Sequence, residues 1–249
     1  MDSEAQRACD WHHRVQDLIC DAELPWEHGR VVRATRYPTY YDYNVVRVTG
    51  EPGLDAAELI AFADDALSGL GHRRVDFDDS AAAEARAADF EAAGWEPNRR
   101  VVMRFEGVPP PAEADVVPAD YDVALPLRMA WLREDFPDLD FGGFADVARE
   151  VAMRLGTETF VIYDDGGGEA VAFTDIERGG SSAEVSRVFV DAARRGGGLG
   201  TRLTLAAVHA AGAVDDLWIL ADDEGRPKEL YARLGFREVW RMVKFQRIL

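Results

Sequence analysis

Apolar residues recur three and four apart in "LGTRLTLAAVHAAG", which puts Leu199, Leu203, Ala206 and Ala210 on one face of a helix that Gly212 ends. The same spacing in "FADVAREVAMRLG" aligns Phe144, Val147, Val151 and Leu155, with Gly156 as the stop. "LRMAWLRED" reads as a helix starting just after Pro126. "RPKELYARLG" reads as a short helix with Pro227 in its first turn and Gly235 at its end. Between these lie strand patterns: "ADVVPA", "SSAEVSRVFVD", "DDLWILA", which reads as a buried strand, and "FREVWRMVKFQRI". "ETFVIYDDGGGEAVAFTDIE" reads as a hairpin around a Gly-rich turn.

The N-terminal half repeats part of this order. "DAAELIAFADDALSGLG" is a helix and "RRVDF" a strand; Asp78 and Asp79 then match Asp222 and Asp223. A second helix ends in "DFEAAGW", against "LYARLGF" downstream, and both run into strands, "NRRVVMRF" and "WRMVKF". The matched landmarks point to an internal duplication. "GVPPPAEADVVPAD" has four prolines and no amphipathic period, so it reads as a linker. The expected organisation is an incomplete lobe over 1–106, a Pro-rich linker running into the next strand over 107–120, and a complete domain over 115–249.

Composition narrows the function. Of 249 residues, 47% are hydrophobic and 30% charged, a globular profile with no run of membrane-spanning length. The N-terminus lacks the basic and apolar regions of a signal peptide, and Cys9 and Cys20 are too few for a disulfide framework, so a cytoplasmic protein is expected. The net charge of −18 argues against a nucleic-acid partner. It suits a cationic small molecule such as an amine, and equally an acidic surface that keeps the protein soluble.

The chemistry concentrates in "RRGGGLGTRL", Arg194 to Leu203, where glycines lie between a strand and a helix start. A helix N-terminus offers unpaired amides and a partial positive charge, and glycines let successive amides converge on an anion. A P-loop is excluded because it needs a Lys. The dinucleotide fingerprint fails on spacing: counting from Gly198 the sixth residue is Leu203, and from Gly196 it is Thr201. A tight turn without a ligand needs fewer glycines than this.

Arg195, Gly198 and Gly200 form R-x-x-G-x-G after the strand "SRVFV", and "LYARLGF" follows as a helix with a Tyr and then Gly-Phe. Together these resemble the coenzyme A loop and the second landmark of the GCN5-related N-acetyltransferase (GNAT) family. The resemblance covers Asp115 to Leu249 and suggests a tandem form with a degenerate N-terminal lobe. It implies an α/β (α+β) fold with a mixed, mostly antiparallel sheet flanked by helices, and a second, incomplete GNAT-like lobe. It implies acetyl transfer from acetyl-CoA to a small-molecule amine, with no metal, no nucleic acid and no membrane, by a monomer or homodimer. The amides of Gly196, Gly197, Gly198, Leu199, Gly200 and Thr201, beside Arg195, would hold the pyrophosphate. Val188, Phe189 and Val190 would pair with the pantetheine arm, and an amide near Phe189 or Val190 would face the thioester oxygen.

Within that resemblance Tyr231 is the candidate acid for the leaving thiolate, with a core aromatic as the alternative. Phe90 stands at the matching N-terminal position without a proton to give. Glu184 is the candidate base, directly or through water, and strand alternation expects it to share a face with Ser186 and Val188. A solvated strand-edge carboxylate is the other reading of Glu184, and Ser186 and Asp175 are weaker candidates. Many family members have an Asn where this chain has Glu224. A non-catalytic acyl-CoA sensor keeping the fold is the rival function.

Cys9, His13, Gln16 and Cys20 fall on one helical face, but a structural zinc site wants four ligands, and an amphipathic packing helix is expected instead. "RYPTYYDYN", Arg36 to Asn44, reads as a strand of an inter-lobe core, or as the lining of a substrate cleft. The stretch from Phe136 to Gly143 falls where the family's substrate-side loop usually lies.

Overall fold

The structure is a computed structural model that describes residues 3–135, 144–164, 166 and 168–249. The stretch from Phe136 to Gly143, named above as a substrate-side loop, lies outside the described residues. Two compact units emerge: Met1–Val102, Ala221–Lys228 and Val239–Leu249 in the first, Met103–Leu220 and Glu229–Glu238 in the second. No described helix is long and apolar enough to cross a membrane.

The first unit starts with helix α1 (Ser3–Ile19), which buries Ala8, Cys9, Trp11 and Ile19. Strands β1 (Ala22–Trp26) and β2 (Gly29–Arg33) form a hairpin. Gly29 turns it at φ +149, where a Cβ would sit 2.2 Å from the Arg47 carbonyl oxygen, so only glycine fits. Then come β3 (Asn44–Val48), α2 (Ala56–Ala66), β4 (His72–Phe77), α3 (Ser80–Glu84), α4 (Ala87–Ala92) and β5 (Glu96–Phe105). β3 and β4 run parallel; the β1–β2 and β2–β3 pairs are antiparallel.

The second unit contains β6 (Val117–Ala119), α5 (Leu125–Asp135), α6 (Phe144–Leu155), β7 (Glu158–Tyr163), β8 (Ala170–Gly179), β9 (Ser182–Val190) and α7 (Leu199–Ala211). β10 (Asp216–Asp222), α8 (Arg226–Arg233) and β11 (Phe236–Ile248) complete the chain. Strand order is β10-β9-β8-β7-β6, with only β9–β10 parallel. The architecture is therefore the expected mixed, mostly antiparallel sheet with helices. Leu203 and Ala206 of α7 pack on Ile162 and Ala172, while Ala124 and Leu127 pack with Val161, Phe173 and Phe189 in a separate cluster.

The units divide the chain differently from the boundary read at the linker. The end of β11 pairs antiparallel with β4, Val243 opposite Phe77 and Phe245 opposite Val75. Phe245 also stacks on Phe90 at 4.2 Å with the ring planes 4° apart. Val239–Leu249 thus belongs to the first unit by both backbone pairing and core packing.

"RYPTYYDYN" is not a strand. It is a loop containing a single 3₁₀ turn, Tyr41–Tyr43, and β3 starts only at Asn44. The Asn44 side chain organises the loop: its Nδ2 donates to the carbonyls of Tyr37 and Tyr40 at 2.9 Å, and its Oδ1 accepts from the Ala34 amide at 3.2 Å. A buried amide that satisfies three backbone groups supplies what a strand ladder would otherwise provide.

Candidate active site

The glycine loop begins where β9 ends. Asp191 caps the turn Ala192–Arg194, its Oδ1 accepting from the Ala193 amide at 2.9 Å. Gly196 at φ +88 and Gly198 at φ +79 then adopt left-handed backbone with open space around each. The requirement for glycine there is conformational rather than steric. Gly198 is the N-cap of α7, so no side chain caps this helix. Among the described residues, the amides of Gly196 to Thr201 carry no hydrogen bond, while the Arg202 amide already donates to the Gly198 carbonyl at 3.1 Å. An uncapped N-terminus with the dipole behind it is an anion cradle.

A Cβ on Gly200 would meet Leu230 Cδ2 and Val190 Cγ2, each at 3.9 Å. The start of α7 therefore lies against both α8 and the end of β9. The nearby arginines are partly neutralised. Arg195 donates to Glu134 at 2.5 Å and to the Val190 carbonyl at 3.0 Å, and lies 5.4 Å over the Phe189 ring. Arg202 pairs with Asp115.

The start of α2 in the first unit is built differently. Asp55 and Glu58 form a reciprocal capping box on α2, and Glu51 accepts from the Gly53 amide at 2.9 Å. Carboxylates thus already accept from the amides of Gly53, Asp55 and Glu58 at this helix start.

β9 pairs with β10 only from Ser182↔Asp216 to Val185↔Ile219. Beyond Val185 it keeps β8 as its partner: Ser186 lies opposite Asp175, Phe189 opposite Phe173 and Val190 opposite Ala172. The register slips between Phe173 and Asp175, so β9 carries an extra residue. Arg187 makes this bulge at φ +52, a left-handed conformation costing a non-glycine residue about 1–2 kcal/mol. Its guanidinium donates to Glu177 at 2.6 Å and lies 3.5 Å from Asp175.

The bulge corrects one expectation. Glu184, Ser186 and Phe189 face the same side, opposite Glu177, Asp175 and Phe173. Val188 points the other way and packs with Val190 against Leu199 and Leu203. Alternation holds from Glu184 to Ser186 and breaks at Arg187.

Glu184 is half-buried on that polar face. Asp175 is fully buried and bound by Arg128 through two hydrogen bonds, 2.6 and 2.8 Å, with the Thr159 hydroxyl donating at 2.8 Å. Arg128 also lies 3.9 Å over the Tyr121 ring. With both carboxylate oxygens engaged, Asp175 is an anchor that fastens α5 to β8. Sequence reading missed this anchor and Glu177. The one available signal was an Arg inside the apolar pattern of "LRMAWLRED".

Tyr231 is buried on α8, its ring 6.1 Å from Phe236, and burial pushes its phenol up to about 12. Leu230, its neighbour, is the residue that approaches Gly200. Glu224 instead pairs with Arg99 at 3.5 Å in the first unit. The structure thus brings the glycine loop, the end of β9 that extends beyond its pairing with β10, and Tyr231 together within one unit.

β10 leaves β9 unpaired beyond Val185, and the uncapped start of α7 lies against the end of β9. Residues 156–238 match the family model described as acetyltransferase (GNAT) domain. A functionally unknown conserved protein from Staphylococcus epidermidis is similar in fold, with 13% identity, 94% of this chain and 96% of that chain covered, and a TM-score of 0.66. A GCN5-related N-acetyltransferase from Kribbella flavida is similar at 17% identity, 99% and 96% coverage, and a TM-score of 0.60. A tandem GNAT protein from the clavulanic acid biosynthesis pathway is similar at 16% identity, 82% and 75% coverage, and a TM-score of 0.51. No curated protein matches the chain.

Proposed function

We propose that the second unit transfers an acetyl group from acetyl-CoA to the primary amine of a small, cationic acceptor, and that the first unit is a degenerate copy of the fold without the cofactor loop. The observation that carries this reading is the row of unbonded amides from Gly196 to Thr201 at the uncapped start of α7. They suit the pyrophosphate. The β9 backbone from Val188 to Val190, which β10 does not pair, suits the pantetheine arm as an added strand once Arg195 releases the Val190 carbonyl.

The neutral amine attacks the thioester carbon and forms a C–N bond. The carbonyl oxygen becomes an oxyanion, which an amide near Phe189 or Val190 would stabilise. Collapse breaks the C–S bond. The proton lost by the amine goes to Glu184 or to water, and Tyr231 gives its proton to the departing sulfur. The phenol stays protonated through the neutral range because burial raises it to about 12. The net charge of −18 favours a cationic acceptor through long-range attraction.

Calorimetric titration with acetyl-CoA tests the reading. The native chain should bind one equivalent. Gly198→Glu places a side chain and a negative charge at a left-handed N-cap, and should abolish binding while the circular dichroism spectrum is kept. No binding by the native chain, or undiminished binding by the variant, overturns the assignment of the loop.

A further inference from the structure

Three metal-ligating side chains of different kinds converge in the first unit, away from the glycine loop. Cys9 and His13 lie one turn apart on α1 and share a face. Asp78 follows directly after β4. Cys9 Sγ is 3.9 Å from each ring nitrogen of His13, and His13 Nε2 is 3.1 Å from Asp78 Oδ1. One donor atom from each residue lies within 4.8 Å of the others. A tetrahedral zinc ion, with bonds of about 2.0–2.3 Å, holds its ligand atoms roughly 3.3–3.7 Å apart. The observed separations bracket that range, so small side-chain rotations would close the site.

The aspartate is held in place by its surroundings. Its amide donates to the Val48 carbonyl at 3.0 Å, and its carbonyl accepts from Trp240 Nε1 at 2.9 Å. Its second carboxylate oxygen is 3.5 Å from the Thr49 hydroxyl, an outer contact of the kind that orients metal-bound carboxylates. Cys9 and Asp78 are buried at 2% and 7% exposure, whereas the His13 side chain retains 21%. That exposed edge gives an ion a way in and leaves the fourth position to water.

The remaining members of the helical face are engaged elsewhere. Gln16 Oε1 accepts from Arg47 at 2.6 Å, and Cys20 Sγ lies 3.4 Å from the Tyr43 carbonyl. The reading that placed all prospective ligands on α1 therefore found too few. The third, Asp78, comes from just past the end of β4, across the tertiary fold.

We propose that Cys9, His13 and Asp78 form a binding site for a divalent transition metal of the zinc class, which ties α1 to the end of β4. Thiolate and imidazole select against calcium and magnesium. On binding, Cys9 releases its thiol proton to solvent, neutral His13 presents Nε2 and carries its proton on Nδ1, and Asp78 binds as the carboxylate.

Cobalt(II) is the probe. The full chain, freed of metal by a chelator, should take up one equivalent and show a thiolate-to-cobalt charge-transfer band together with intense tetrahedral d–d bands. Zinc should bleach them. Only two cysteines exist, so Cys20→Ser must keep the band and Cys9→Ser must lose it. Asp78→Asn and His13→Gln should each weaken cobalt binding at least tenfold. If Cys9→Ser does not fold, retention of the band in Cys20→Ser still assigns the thiolate to Cys9. A native chain without the band, or a band lost in Cys20→Ser, overturns the proposal.

Discussion

Tyr231 of the second unit and Phe90 of the first differ by one oxygen atom. Both are buried aromatics on the helix that precedes a Gly-aromatic pair, and both pack against a neighbouring ring. Tyr231→Phe should therefore fold normally, because only a hydroxyl is lost from a well-packed ring. If Tyr231 supplies the proton, acetyl transfer should fall by about a hundredfold or more, the scale of general-acid catalysis, with acetyl-CoA affinity within twofold of the native chain. The native rate should also show no alkaline limb from this phenol below about pH 11, since its titration is displaced to about 12. An unchanged rate in the variant removes Tyr231 from the chemistry. At this scale the sequence was readable where a residue's role is local. The left-handed conformations of Gly196 and Gly198 are of that kind. Arg187 is not: an arginine at φ +52 leaves no trace in composition, and it redirects Val188.

Elements were legible in proportion to their periodicity. Helices α7 and α8 and strands β9 and β10 follow the apolar spacing closely, each ending at the glycine or polar residue that marks it. β1 and β2 escaped because each has five residues, mostly exposed or charged on one side, with Pro25 in the first. The Arg128–Asp175–Thr159 anchor escaped because its members lie on three separate elements, and pairing across the fold is invisible along the chain. The β3–β4 pair contains another such link. His72 of β4 is wholly buried, donates from Nε2 to the Asn44 carbonyl of β3 at 3.0 Å and stacks on Tyr41 at 4.1 Å. Burial lowers its imidazole to about 4. Between pH 6.5 and 4 the unfolded chain takes up a proton that the folded chain refuses, so stability falls as the pH falls through that window. The limit from His72 is about 3 kcal/mol, at 1.36 kcal/mol for each pH unit. Half-buried His12, also lowered by desolvation, adds in the same direction. Urea midpoints measured across the window should decline in the native chain, and His72→Gln should flatten part of that decline while lowering stability at neutral pH. Equal slopes in the two proteins would show that His72 binds protons alike in both states.

At the scale of the whole molecule, chain order and folding unit do not coincide. The first unit is discontinuous, because Val239–Leu249 returns to it after the second unit has been traced. A fragment of residues 107–249 keeps the glycine loop and Tyr231 but lacks β4, the antiparallel partner of Val243–Ile248. Trp240, Met242, Val243 and Phe245, each no more than 6% exposed in the full chain, would lose cover. At about 1.5–3 kcal/mol for each buried side chain, roughly 6–12 kcal/mol is at stake, comparable to the whole stability of an ordinary domain. The complementary fragment, 1–106, loses the same strand and the Trp240 indole that holds the Asp78 carbonyl at 2.9 Å. Neither fragment alone should show a cooperative thermal transition, and 107–249 should aggregate or expose hydrophobic surface to a dye. Joining 107–249 to a copy of 1–106 supplied in trans should restore the transition, because β4 then regains its partner. A soluble 107–249 fragment that melts cooperatively and binds acetyl-CoA as the full chain does would show instead that the last strand is dispensable to the second unit, and that the division at the linker is the physical one.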